Sequence, residues 1–106
     1  MRKILYSPGF GAGWSTWNYN EDVAEYMRTY QPIIDFIEDG GSFVRWKPEH
    51  ALLKKLAAEC KEKFGEDHVC VLGADDLCIE EVPGRYRIAE YDGSESIVLE
   101  EDQGWH

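Results

Sequence analysis

The fold is decided by residues 48–65, which read PEHALLKKLAAECKEKFG. Apolar residues recur there at intervals of three and four positions, so they share one face of a helix while lysines and glutamates cover the other. The apolar face consists of Leu52, Leu53, Leu56, Ala57, Cys60 and Phe64. We expect a long helix that begins at Pro48 and Glu49 and ends at Gly65, which is suited to a C-terminal cap.

Beyond this helix the apolar pattern changes to the two-residue period of β-strands. Extended runs occur at Val69–Leu72, Leu77–Val82, Arg85–Tyr91 and Ser96–Leu99. The dipeptide Asp92-Gly93 lies between the last two runs, and Asp-Gly in such a place favours a hairpin. We therefore expect a mainly antiparallel β-meander that packs on the long helix.

The N-terminal segment predicts a strand at Lys3–Tyr6 that is closed by Ser7-Pro8-Gly9. A glycine-rich loop follows at Gly9–Trp17. Asn20 is then suited to cap a helix whose apolar stripe recurs at helical spacing. That stripe consists of Val23, Tyr26, Met27 and Tyr30.

A second short helix is expected at Ile33–Asp39, with Pro32 as its first residue and Gly40-Gly41 at its end. Ser42–Trp46 is expected to be a brief extended piece. The sequence thus predicts one α+β domain over residues 1–106: an N-terminal strand and glycine-rich loop, two or three helices, then the meander.

Charge is distributed unevenly along the chain, whose net charge is −10. Residues 1–65 hold nine basic and nine acidic side chains, whereas residues 66–106 hold two basic and twelve acidic ones. The two basic residues in that second half are Arg85 and Arg87. Such a surface repels phosphate backbones, so direct binding of DNA or RNA is not expected. It is either a solvated face or a surface that docks on a basic partner.

The cysteines predict neither a disulfide framework nor a metal site, because Cys60, Cys70 and Cys78 are odd in number and form no C-x-x-C pair. No apolar run is long enough to span a bilayer, and Arg2 and Lys3 precede too few apolar residues for a signal peptide. We expect a cytoplasmic protein without membrane association.

Sequence motifs of known catalytic sites do not match. Trp14 stands where the third glycine of G-x-G-x-x-G belongs, and no G-K-[ST] lysine follows. Ser7 precedes Pro-Gly, so it does not form a nucleophile elbow. We expect no catalytic residues and no cofactor, although a small enzyme with an unrecognised carboxylate site is an open alternative.

The glycine-rich loop is the candidate binding site, because glycines free backbone amides for a ligand and tryptophans offer stacking surfaces. The alternative is structural: the glycines make tight turns and the tryptophans pack inward. In the binding hypothesis Arg45 adds a cation. The candidate ligand-binding residues are Ser7, Gly9, Phe10, Gly11, Gly13, Trp14, Ser15, Thr16, Trp17 and Arg45.

Two segments, ILYSPGFGAGW at residues 4–14 and RIAEYDGSESI at residues 87–97, resemble the two ends of a group of small uncharacterised proteins, many apparently encoded by bacteriophages. The resemblance implies no activity, ligand or functional residue. It implies a context, since small phage accessory proteins often counter host defence. Some sequester a nucleotide signal and others block a nucleic-acid-processing complex with an acidic surface.

The sequence therefore leaves two functions open. The first is a non-enzymatic phage counter-defence protein that sequesters a nucleotide-like signalling molecule in the host cytoplasm, as a homo-oligomer with pockets near its interface. The second is an acidic inhibitor that docks on a basic, nucleic-acid-binding host protein or complex. The first is favoured, because tryptophans among glycines at the end of a strand are rarer than acidic surfaces.

Overall fold

The structure is a computed structural model that describes residues 2–9, 13–43, 50–91 and 93–99. Four strands and three α-helices follow one another in an α+β arrangement, which confirms the predicted fold class. The strands are β1 (Arg2–Tyr6), β2 (Cys78–Val82), β3 (Tyr86–Tyr91) and β4 (Ser94–Leu99). The helices are α1 (Glu21–Arg28), α2 (Gln31–Glu38) and α3 (Ala51–Phe64), and two short 3-10 helices lie at Ser15–Trp17 and Leu72–Asp76.

Local capping chemistry predicts the start of α1 and the end of α3, whereas α2 begins at Gln31, one residue before the predicted first residue Pro32. The Asn20 side chain accepts hydrogen bonds from the backbone amides of Asp22 and Val23, so it satisfies donors that the first turn of α1 leaves free. Gly65 ends α3 with a φ of 70°, a left-handed conformation that glycine adopts without a steric penalty. The predicted start of this helix at Pro48 and Glu49 lies outside the described residues.

The strands form two antiparallel pairs rather than one meander. β1 pairs with β2, so that Arg2 lies opposite Val82 and Tyr6 lies opposite Cys78. β3 pairs with β4 in the expected hairpin, where Gly93 has a φ of 85°. The two pairs are joined by a hydrogen bond of 2.7 Å from the amide of Glu95 to the carbonyl of Ser7.

One prediction of extended structure is not met, and a second falls mostly outside the described residues. Residues 69–71 are irregular and Leu72–Asp76 is a 3-10 helix, so the strand expected at Val69–Leu72 is wrong. One physical reason is that the Asn18 side chain pairs with the amide and the carbonyl of Cys70, at 2.8 and 3.2 Å, in place of a neighbouring strand. Ser42 and Phe43 are not in a strand, and residues 44–46 lie outside the described part of the chain.

The core lies between the three helices and the inner side of β1. Its buried members come from β1, the loop after it, all three helices and the segment before β2. They are Leu5, Trp14, Val23, Met27, Tyr30, Ile33, Ile34, Phe43, Leu53, Leu56, Cys60 and Ala74. Within the described ranges, no helix is long and apolar enough to cross a membrane.

Candidate functional site

The glycine-rich loop does surround an anion, and that anion is the chain's own Glu95. The Glu95 side chain is only 1% exposed. Its Oε1 accepts a hydrogen bond of 2.9 Å from the amide of Ser7. Its Oε2 accepts hydrogen bonds from the amides of Trp14 and Thr16, at 2.8 and 3.0 Å, and from the Thr16 hydroxyl. Hydrogen bonds to an ionised acceptor are stronger than neutral ones, so this carboxylate fixes both sides of the loop.

This arrangement engages three amides at and beside the loop with the protein's own carboxylate. The amides of Ser7, Trp14 and Thr16 are all directed at Glu95. The hydroxyl of Ser7 is buried and has no hydrogen-bond partner among the described residues. The carboxylate that these three amides bind comes from β4.

The two loop tryptophans have different environments. The Trp14 ring is fully buried, and its Nε1 donates to the carbonyl of Met27 at 3.3 Å, so it belongs to the core and cannot stack on a ligand. The Trp17 side chain is 41% exposed. It borders a cavity of about 330 Å³ that it shares with Tyr19 and His68. Only one of the two predicted stacking rings is accessible.

The described glycines of the loop serve close packing. A Cβ atom at Gly9 would lie 1.9 Å from Oδ2 of Asp76, and one at Gly13 would lie 2.7 Å from Cδ1 of Trp17. Any side chain at these positions would force the neighbouring groups apart. The predicted site residues Phe10, Gly11 and Arg45 lie outside the described residues.

Ser15 and Thr16 line a different feature, a cleft of about 570 Å³ between α1 and the start of β3. We call it the arginine cleft, because four of the five arginines of the chain line it. Its lining residues are Arg2, Ser15, Thr16, Asn18, Glu21, Ala24, Glu25, Arg28, Arg85, Tyr86, Arg87 and Ile88. Four arginines and two glutamates line the cleft, so its lining residues carry a formal net charge of +2 in a chain whose net charge is −10.

Arg28, at the end of α1, forms the floor of the cleft with a side chain that is 9% exposed. Its Nη2 donates to Glu21 at 2.7 Å and to Glu25 at 3.0 Å. Its Nη1 donates to the hydroxyl of Ser15 at 3.2 Å, and its Nε donates to the hydroxyl of Tyr86 at 3.1 Å. Burial alone would lower the pKa of Arg28, but the hydrogen bonds and charges of these partners raise it, so the group stays cationic.

Glu25 links the other groups of the cleft. It accepts hydrogen bonds from Arg28, from Arg2 at 3.2 Å and from the Tyr86 hydroxyl at 3.0 Å. Burial by itself raises the pKa of Glu25, but the donors from Arg28 and Tyr86 outweigh burial, so the pKa is lowered. Burial also raises the pKa of Tyr86, although Arg28 opposes this effect. Glu25 is thus an ionised, fixed member of the cleft.

The remaining arginines give the rim of the cleft its charge. The guanidinium carbon of Arg2 lies 5.4 Å from the centre of the Tyr86 ring, within range of a cation–π contact. Arg85 and Arg87 flank Tyr86 along the chain and form no side-chain ion pair with any described residue. Guanidinium groups without an internal partner are available to planar anions such as phosphate and carboxylate, which they bind in a bidentate manner.

Sequence reasoning included Ser15 and Thr16 but missed Arg28, Tyr86 and Glu95. One signal for the cleft was present: the two basic residues of the acidic half, Arg85 and Arg87, stand on either side of Tyr86. No local signal separates Glu95 from the other acidic residues around it. Its partner Ser7 is 88 residues away, so only the tertiary structure identifies it.

The described residues hold no other cluster with clear chemistry. No group of three His, Cys, Asp or Glu side chains in this part of the chain could hold a metal ion. The two tyrosines Tyr26 and Tyr30 both donate to the carboxylate of Glu59, on the surface between α1 and α3. These contacts join two helices and are explained by packing.

Comparisons with known proteins add no family to this description. No protein-family model matches the chain, and neither the curated proteins nor the solved structures provide a significant match. The arginine cleft is therefore defined by the geometry and charge of its own residues.

Proposed function

We propose that this protein is a non-enzymatic binding protein for a small anionic, nucleotide-like molecule, and that the arginine cleft is its binding site. The observation that carries the proposal is the gathering of four of five arginines around one cleft of an acidic chain. Scattered arginines on such a chain would pair with its abundant carboxylates. Two of these arginines, Arg85 and Arg87, have no such pair among the described residues.

The cleft resolves an apparent conflict between the charge of the chain and a phosphate ligand. A net charge of −10 repels anions at long range, but within a few ångströms the local groups dominate because salt screens the rest within about 8 Å. The residues that line the cleft carry a formal net charge of +2. Binding should therefore depend on direct contacts more than on long-range attraction.

Size and chemistry favour a nucleotide-like ligand over a simple ion. A volume of about 570 Å³ is in the range of sites for small organic molecules. Tyr86 provides a ring beside the guanidinium groups, which suits a ligand that joins a planar base to phosphate. The lining also includes the hydroxyls of Ser15 and Thr16, which are engaged with Arg28 and Glu95 within the protein.

The biological setting we propose follows from the resemblance to small phage proteins. A phage counter-defence protein that sequesters a nucleotide signal needs affinity and abundance, and it needs no catalytic group. It would act in the host cytoplasm, as a homo-oligomer. Native mass spectrometry of the protein purified from its host would report the number of copies per particle and any retained molecule together.

The experiment that tests the binding site is a titration of ADP-ribose and of cyclic nucleotides by calorimetry, with adenosine as the uncharged reference. The double variant R85A/R87A removes two exposed cations from the rim, and K54A/K55A removes the same charge from the exposed side of α3. We expect binding of at least one phosphate-bearing compound, at least a tenfold loss in R85A/R87A, and little change in K54A/K55A.

Two results would overturn the proposal. One is the absence of heat and of any thermal shift with every phosphate-bearing compound at millimolar concentration. The other is equal weakening in the two double variants, which would mean that only net charge matters.

The acidic inhibitor is the second candidate, and it is favoured by exposed carboxylates on β2 and β3, where Glu81 and Glu90 face solvent. A partner that binds these carboxylates should dissociate steeply with added salt, and the charge reversals E81K and E90K should weaken its binding. R85A/R87A should leave such a partner bound, so the same variants discriminate between the two functions.

A further inference from the structure

We propose that Glu21 is a built-in competitor for the ligand: its carboxylate occupies the place on Arg28 that a phosphate group of the ligand takes. This inference rests on the proposed function, and it explains how the cleft would select phosphate-bearing ligands over simple carboxylates. It follows from a difference between the two carboxylates that share the same nitrogen of Arg28.

Glu25 is held in place, whereas Glu21 is free to leave. Glu25 bonds Arg2 and Tyr86 in addition to Arg28, and its side chain is 42% exposed. Glu21 is 82% exposed, and within the described residues its carboxylate contacts Arg28 alone. Release of Glu21 breaks one hydrogen bond of 2.7 Å, to Arg28. Release of Glu25 would break its hydrogen bonds with Arg2, Arg28 and Tyr86 together.

The energetics favour exchange of Glu21. An ion pair with so exposed a partner stabilises a protein weakly, because water and salt compete with it. The Arg28 guanidinium, in contrast, is buried and requires anionic partners. A phosphate that replaces Glu21 keeps Arg28 neutralised and also meets Arg85 or Arg87 at the rim. The displaced glutamate side chain then returns to water at little cost.

This exchange gives the cleft a preference among anions. A carboxylate ligand offers Arg28 the same group that Glu21 already supplies, and Glu21 has the advantage of being attached to the same helix. A phosphate carries more charge and three acceptor oxygens, so it can displace the glutamate. We therefore assign phosphate-bearing molecules as the ligand class and expect the wild-type protein to reject simple carboxylates.

The test compares E21Q with D22N by calorimetry, with pyrophosphate and succinate as probes. Asp22 is the matched control, because it is exposed in the same first turn of α1 and its carboxylate does not contact Arg28. Both variants remove one negative charge. We expect E21Q to bind pyrophosphate roughly three- to tenfold more tightly and to gain measurable binding of succinate, with less than about a twofold effect in D22N.

Each outcome decides the question. Tighter binding in E21Q alone supports the competitor, even where the wild type binds too weakly to measure. Equal effects in both variants, or no effect in either while the wild type binds pyrophosphate, overturn the competitor and leave the binding site standing. No binding by any of the three proteins overturns both.

A second variant guards against misfolding of E21Q. E21D keeps the charge in the first turn of α1 but shortens the side chain, so it should tighten pyrophosphate binding by about twofold. In addition, the NMR signal of the Arg28 Nη2–H group, which donates to Glu21, should shift in the wild type when pyrophosphate is added. A signal that does not move on saturation would refute displacement at Arg28.

Discussion

Replacement of the buried Glu95 by glutamine should destabilise the protein far more than the same change at an exposed position. The carboxylate of Glu95 accepts four hydrogen bonds, one at Oε1 and three at Oε2. In E95Q the amide oxygen can keep the three bonds to Trp14 and Thr16. The amide nitrogen must then face the amide of Ser7, where two donors meet and a buried N–H loses its partner.

The magnitude follows from the bonds that are lost or weakened. A hydrogen bond to a charged group is worth about 1.5–3 kcal/mol, and an unsatisfied buried donor costs about 1–3 kcal/mol. Since the glutamine also avoids the burial of a charge, we expect E95Q to lower the free energy of unfolding by about 2–3 kcal/mol. E95A leaves three loop amides without the carboxylate and should cost about 3–5 kcal/mol.

The assay is urea unfolding followed by circular dichroism and by tryptophan fluorescence, with a thermal scan of each variant. For a domain of about 100 residues, E95Q should lower Tm by about 10–20 °C. The matched control is E90Q, because Glu90 lies directly opposite Glu95 in the β3–β4 hairpin and is exposed, and the glutamine oxygen can keep the hydrogen bonds that Oε2 of Glu90 accepts from Gly93 and Trp17. We expect E90Q to change the free energy of unfolding by less than about 1 kcal/mol.

The reasoning would be refuted by an E95Q protein as stable as the wild type. It would also be refuted by equal losses in E95Q and E90Q, because then burial and the loop amides would not be the cause.

Three further predictions concern the cleft and the core. Arg28→Lys should lower the free energy of unfolding by about 2–3 kcal/mol in a urea titration, because one ammonium group cannot donate to Glu21, Glu25, Ser15 and Tyr86 in four different directions. A loss below about 0.5 kcal/mol would contradict this reasoning. The pKa of Glu25 is lowered in the folded protein, so ionised Glu25 contributes its full stabilisation above pH 4.5, the ordinary pKa of a glutamate, and this stabilisation is lost as the pH falls through the folded-state pKa. E25Q should therefore flatten the dependence of Tm on pH below about 4.5, and an unchanged slope would count against the pair with Arg28. Burial raises the pKa of Cys60 to about 11, with smaller effects from nearby glutamates. Iodoacetamide at pH 8 should therefore label only Cys70 and Cys78 in the native protein and all three cysteines in urea, and rapid labelling of all three without urea would show that the Cys60 thiol is accessible.

The parts of the fold that could be predicted from sequence are those set by neighbouring residues. Asn20 caps α1, Gly65 ends α3 and Gly93 turns the last hairpin, and each needs only its local chain to act. The pairing of β1 with β2 joins residues about 80 positions apart, and no periodicity in either strand specifies its partner. The same limit explains the missing strand at Val69–Leu72, where the distant Asn18 takes the backbone groups of Cys70.

Of the residues that line the arginine cleft, only Ser15 and Thr16 are among the ligand-binding residues predicted from the sequence. A glycine-rich loop after a strand is typical of amides directed at an anion, but its composition carries no information on whether that anion is external. Trp14 was expected at an opening and is instead part of the core, since its ring fills space beside α1 and its Nε1 reaches Met27. Arg28 lies next to the apolar stripe of α1, where a periodicity argument treats it as a surface residue.

The contact between Ser7 and Glu95 has a consequence for how the protein is made. The loop emerges from the ribosome early, but the group that organises its amides is synthesised 88 residues later. Contacts of such large sequence separation form late in folding, since the entropy of closing the intervening chain must first be overcome. During synthesis the helices can therefore form while this segment is still fluctuating, and a nascent chain halted between β3 and β4 should show rapid hydrogen exchange at Ser7 and Thr16 until the last hairpin arrives.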